Sequence, residues 1–160
     1  MKKIIVLCLL AMPLLASSPQ ETAPAGFKIW TPDSLAQTGK ELVAKAAKDP
    51  HHNASEQIGD FPNDAFLYAH READGMAELH ETQADVFFVE SGTATLIVGG
   101  SMVNGETVSP HEIRAASIQG GIRQKLSKGD IVRIPAKTAH QLLLEGSHDF
   151  TYFVVKVKGY

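Results

Sequence analysis

One stretch constrains the fold more than any other: Glu78-Leu79-His80-Glu81-Thr82-Gln83-Ala84-Asp85-Val86-Phe87-Phe88-Val89-Glu90-Ser91-Gly92. Side chains alternate along a strand, so Glu78 and His80 share one face and Glu81 takes the other. Asp85 opens a run to Val89 of the aromatic and β-branched residues that strands favour, and Gly92 supplies a turn. Polar, metal-competent groups therefore stand at the mouth of a hydrophobic β-structure. The pattern locates a binding site without naming its occupant.

The flanking sequence extends the same pattern. Residues 66–72 and 76–80 are strand-like and bracket Ala73-Asp74-Gly75, a hairpin signal. A two-residue turn would set Arg71 opposite Glu78, and a three-residue turn would set His70 there, which makes His70 a second-rank site residue. Residues 93–98, 126–134, 141–144 and 150–157 read as further strands. Residues 101–123 read as turns with one short strand, and His111 and Arg114 within them as solvated, with a lid over the site as the alternative. About eight strands with regular turn signals and no internal repeat fit an all-β single jelly-roll barrel.

Ahead of the barrel, Thr31 and Pro32 mark a helix start, N-cap then first helical position. The helix runs to about Ala47, with an apolar stripe of Leu35, Leu42, Val43 and Ala46 weakened by Gly39. It is expected to pack outside the barrel or at a subunit contact. Asp49-Pro50-His51-His52-Asn53 ends it. The adjacent histidines point apart on an extended chain, so this segment reads as a solvated loop.

The 160 residues suit one domain with a real core. Lys2 and Lys3, the apolar residues 4–15 and then Ala16-Ser17-Ser18 have the form of a cleavable signal peptide, and the apolar run is shorter than the roughly 20 residues a spanning helix needs. The division is 1–18 signal peptide, 19–60 linker and helical arm, and 61–160 barrel. This implies a periplasmic or secreted protein with no stable membrane anchor after cleavage. Cleavage removes the only cysteine, Cys8, and with it thiol chemistry and Cys-rich zinc sites. It also makes the formal net charge of −3 two units more negative. No basic patch with interleaved aromatics remains for nucleic acid.

The spacing Glu78-x-His80-x4-Asp85-x6-Gly92 resembles the first cupin motif, usually His-x-His-x4-Glu-x6-Gly. Gly129-x5-Pro135-x-Lys137-x2-His140-x3-Leu144 resembles the second, Gly-x5-Pro-x-Gly-x2-His-x3-Asn. The two motifs and their strands span about residues 62–158. The resemblance implies a cupin barrel with an N-terminal helical arm, commonly a homodimer, and residues 27–48 are the arm expected at that contact. It also implies a metal site built from His80, Asp85, His140 and Glu78, with Glu78 ranked as the optional ligand.

Two imidazoles with one or two carboxylates leave open positions on a divalent ion, and the added carboxylate favours Fe(II) or Mn(II) over copper, with Zn(II) still possible. A metal-free reading stands beside this: Asp85 is one methylene shorter than the usual Glu, and Arg71 across the hairpin would neutralise Glu78. Phe87, Val89, Leu142 and Leu144 at inward positions suggest a pocket for a partly apolar small molecule. Two functions remain open. One is a metal-dependent dioxygenase or isomerase acting on a small organic substrate. The other is a non-catalytic extracytoplasmic protein that binds a small molecule or metal. No nucleophile–base arrangement and no nucleotide motif is legible, so no catalytic residue is assigned.

Overall fold

The computed structural model describes residues 22–160, and the expected signal segment lies outside them. Among the described residues no helix is long and apolar enough to cross a membrane. The one helix, α1 (Pro32–Ala46), begins as the sequence predicts: Thr31 is extended, and its Oγ1 accepts from the Ser34 backbone N–H at 3.2 Å. Leu42 and Ala46 are fully buried beneath it. Gly39 is the point of closest approach to the barrel, because a Cβ there would stand 3.2 Å from the Tyr68 hydroxyl. The weak spot in the helix is thus where it docks on the outer face of the barrel.

The barrel is two antiparallel sheets joined by one long strand. In the first sheet, β1 (Asn53–Asp60) pairs with β2 (Asp64–Arg71), β2 with β12 (Phe150–Lys158), and β12 with the first half of β4 (Gln83–Val98), whose other edge takes β10 (Ile131–Ile134). In the second, β9 (Ile122–Ser127) and β11 (His140–Leu143) flank the second half of β4, and the order continues through β3 (Ala77–His80), β7 (Glu112–Ala115) and β6 (Glu106–Ser109). The strands β5 (Ser101–Val103) and β8 (Ser117–Gln119) form a small separate ribbon.

Strand β4 passes from sheet to sheet at a corner. Tyr152 opposes Val89 while Thr151 opposes Ser91, so Glu90 is the extra residue of a bulge. The bulge and corner change which residues point inward: Asp85, Phe87 and Val89 before them, Ala94 and Leu96 after. Gly92 takes φ +77° with its Cα against the Asp149 carbonyl, which would stand 2.2 Å from an added Cβ. Only glycine fits there. Between the sheets, Phe87, Val89, Leu96, Leu126, Ile134, Leu142, Leu144, Phe150, Tyr152 and Val154 pack into one core.

Three expectations change. First, β2 and β3 do not form a hairpin: they lie in different sheets. Asp74 and Gly75 carry the chain across instead, the Asp74 carboxylate accepting from the Leu144 N–H at 2.7 Å and the Gly75 N–H donating to the Leu142 carbonyl at 2.8 Å. Second, the segment read as turns with one strand holds β5, β6, β7, β8 and the start of β9, each too short to show periodicity. Third, the sheet begins at Asn53, inside the segment read as linker and arm, because β1 covers the outer edge of β2.

Candidate metal centre

Six strands deliver charged or imidazole side chains to the space between the sheets. β3 contributes Glu78 and His80 from one face, β4 contributes Asp85, β11 His140 and β12 Lys156, while β2 adds Arg71 and β7 Arg114. They meet at a cavity of about 510 Å³ lined by Arg71, Glu78, His80, Asp85, Arg114 and Lys156 among others. His140 is buried behind these residues and does not line it.

The distances define a compact cluster. His80 Nε2 stands 3.6 Å from Glu78 Oε2 and 3.4 Å from Asp85 Oδ2, and His140 Nε2 stands 3.6 Å from the same Asp85 oxygen. Glu78, His80 and His140 each offer a donor atom within 4.8 Å of the others. Neighbouring ligands on an ion with bonds of about 2.1 Å sit about 3 Å apart and opposite ones about 4 Å apart. The donor set therefore suits a divalent cation, and the 4.8 Å spread asks the side chains to draw in by a few tenths of an ångström around it. The structure brings all four sequence-predicted residues together. Asp85, expected ahead of Glu78, has both oxygens bonded to Lys156, whereas Glu78 completes the trio with the two imidazoles.

The neighbours fix tautomers and charges. His140 Nδ1 donates to the Thr138 carbonyl at 3.1 Å, leaving its Nε2 lone pair facing the cluster. Burial pushes His140 below the ordinary imidazole range, so it sits neutral. The loop that presents it is pinned by Lys137, which takes φ +61° where the motif has glycine and donates its N–H to the His80 carbonyl at 2.7 Å. Burial alone would raise Glu78, but the neighbouring His80, 3.6 Å away, and the charges of Arg114 and Arg71 outweigh it and hold the carboxyl well below the usual carboxylate range. Burial likewise opposes the charge of Asp85, yet His80 and Lys156 hold it below the usual carboxylate range.

At His80, burial and the Lys156 charge oppose protonation while Asp85 and Glu78 favour it, which raises the affinity of the His80–Lys156 contact for the single proton it holds. The 2.9 Å contact between Lys156 Nζ and His80 Nε2 leaves room for one proton, not two. Lys156 Nζ also lies 3.0 and 3.1 Å from the two Asp85 oxygens, and this geometry fits an ammonium that donates to both oxygens and to the His80 Nε2 lone pair.

Arg71 reaches Glu78 at 3.7 Å, though from the opposite sheet rather than across a hairpin, and donates from Nε to the Tyr152 hydroxyl at 3.1 Å. Arg114, expected to be solvated, lies 3.3 Å from Glu78 and 2.6 Å from Glu112. His111 does stay exposed, paired with Glu81 at 3.0 Å. His70 is not part of the metal-competent trio: its Nδ1 bonds the Thr151 hydroxyl at 2.8 Å, and its Nε2 is buried with no hydrogen-bond partner, 3.5 Å from Glu72. Of the expected apolar pocket residues only Phe87 lines the cavity; Val89, Leu142 and Leu144 pack in the core.

Lys156 escaped the sequence reading. A signal for it was present: Phe150, Tyr152 and Val154 point into the core, so period-two alternation also turns Lys156 inward.

No family model matches the chain, and no curated protein matches it. Solved structures do. A double-stranded β-helix protein from Klebsiella pneumoniae aligns at TM-score 0.50 and 17% identity over 67% of this chain and 77% of that one. Streptomyces PAC13 with uridine aligns at TM-score 0.50 and 9% identity over 70% and 74%. KdgF from Halomonas sp. aligns at TM-score 0.49 and 12% identity over 70% and 84%. The chain has the cupin fold, a single jelly-roll barrel with a His and carboxylate cluster that can hold a metal.

Proposed function

We propose that this is an extracytoplasmic cupin-barrel protein that binds a divalent metal through His80, His140 and Glu78, with Asp85 as a further carboxylate, and takes a small organic molecule into the adjoining cavity. The observation that carries the reading is the convergence of Glu78, His80 and His140 donors within 4.8 Å beside a cavity of about 510 Å³. That volume suits a small organic ligand, and Streptomyces PAC13, of the same fold, is seen with uridine. Fe(II), Mn(II) and Zn(II) suit the nitrogen and carboxylate donors.

A metal held there would supply Lewis-acid polarisation and a template for an oxygen ligand. The chain's own groups do the rest. Thr138 orients His140, Arg71 and Arg114 hold Glu78 ionised, and the Tyr152 hydroxyl with its Arg71 partner stands ready to orient a polar group of the bound molecule. A dioxygenase or isomerase would transform that molecule; a binding protein would return it unchanged.

Metal analysis of protein purified without affinity tag or chelator tests the proposal, with thermal midpoints in added Fe(II), Mn(II) or Zn(II) for wild type, His80→Ala and Glu78→Gln. Stoichiometric metal and a raised midpoint that both variants lose are expected. If none of the three ions raises the wild-type midpoint, the metal reading is wrong.

A further inference from the structure

Neither motif accounts for the cation at the centre of the cluster. The Lys156 ammonium donates to Asp85 Oδ1 at 3.0 Å, to Asp85 Oδ2 at 3.1 Å and to His80 Nε2 at 2.9 Å. It thereby directs its donors at two oxygens and a nitrogen, the atom types a divalent ion would recruit. Asp85 is only 3% exposed and needs a counter-charge. Arg71 and Arg114 serve Glu78 and Glu112. Three carboxylates therefore already face three cations, and Lys156 is the one assigned to Asp85.

A lone pair accepts from one donor or binds one metal ion at a time. His80 Nε2 cannot accept from the ammonium and ligate a metal together. We infer that Lys156 is a tethered resident cation of this site, holding the place at His80 and Asp85 that a divalent ion takes only by displacing it, so that Lys156 sets the metal affinity of the barrel. The inference rests on the metal reading above. The adjoining cavity gives the displaced side chain room to swing, and the lysine, 19% exposed, already lines it. An ion that enters must also repel a third cation beyond Arg71 and Arg114, which strengthens the competition.

The test uses the full chain with Lys156→Met, Lys156→Arg and the Lys156→Met/Asp85→Asn pair. Co(II), Mn(II) and Zn(II) are titrated by calorimetry, and the visible absorption of Co(II) reports imidazole ligation. Lys156→Met should bind at least about tenfold more tightly than wild type, a lower bound for removing one charge about 4 Å from the ion, and Lys156→Arg should not. Equal or weaker binding by folded Lys156→Met overturns the inference. If no variant binds metal, the metal reading itself has failed, and the resident cation is judged on stability alone. Lys156→Met must then melt below wild type, with the midpoint recovered in the pair; an unchanged midpoint overturns it. Should Lys156→Met not fold, recovery of folding in the pair supports the ammonium as the counter-ion of Asp85, and no recovery overturns it.

Discussion

Neutralising Glu78 separates its charge from its shape. Glu78→Gln keeps the side-chain volume while leaving Arg71 and Arg114 without their shared anion, 3.7 and 3.3 Å away. The folded protein holds the carboxyl at about 2, against 4.5 for the free group. That gap counts the two imidazoles as well as the arginines, so it is worth at most about 3 kcal/mol at pH 7. A carboxylate depressed on folding stabilises at pH above its unfolded value and loses the contribution as pH falls toward the folded one. Here the loss spans pH 4.5 down to about 2, with about half gone by pH 3. Thermal unfolding followed by circular dichroism in chelator, so that no metal contributes, should place Glu78→Gln below wild type at pH 7, by at most about 6–12 °C. The difference should shrink by about half at pH 3. Coincident midpoints at pH 7, or a difference that does not change with pH, would refute the charge argument.

Four further outcomes are expected. Gly92→Ala, which meets the Asp149 carbonyl at 2.2 Å in a left-handed backbone, should cost more than about 2 kcal/mol in denaturant titration, and an unchanged midpoint would deny the corner its role. His140 sits neutral while the unfolded chain protonates below about 6.5, so wild type should lose stability from pH 7 to pH 5 relative to His140→Gln, and parallel curves would contradict this. Light scattering of the chain at tens of micromolar should give a homodimer, and a monomer at that concentration with residues 27–48 intact would count against the arm contact. Intact mass of protein from its native envelope should lack the first 16–18 residues, and a mass that retains residues 1–15 would end the export reading.

What was legible in the sequence was local. Thr31-Pro32 announces a helix because capping involves adjacent residues, and the strand through Phe87 and Val89 announces itself because alternation is a short-range signal. Glu78, His80, Asp85 and His140 were readable as one cluster because two motifs of fixed spacing bind each residue to its strand position. The connection between β2 and β3 was not readable. Asp74-Gly75 has hairpin chemistry, but the choice between a hairpin and a crossing to the other sheet is made by Leu142 and Leu144 of a distant segment, whose backbone groups take the hydrogen bonds at Gly75 and Asp74. Arg71 therefore meets Glu78 through the barrel interior, by a route that no turn length encodes.

Lys156 shows the same division at the site itself. In Val154-Val155-Lys156-Val157-Lys158 it looks like one of two lysines solubilising a terminal strand. Lys158 does behave so, pairing with Asp60 at 2.5 Å near the surface. Two residues earlier on the same face, Lys156 stands opposite Asp85 of β4, and the carboxylate beside it, 3% exposed, has the ammonium as its counter-charge in place of water. Its position follows from a pairing register 71 residues away in sequence. A motif records which residues can bind a cation; the register of β12 against β4 decides that one such cation is already part of the chain. The electrostatics of this barrel are therefore set as much by the C-terminal strand as by the two motifs, and substitution at Lys156 should change the cluster more than substitution at Lys158, which touches none of its members.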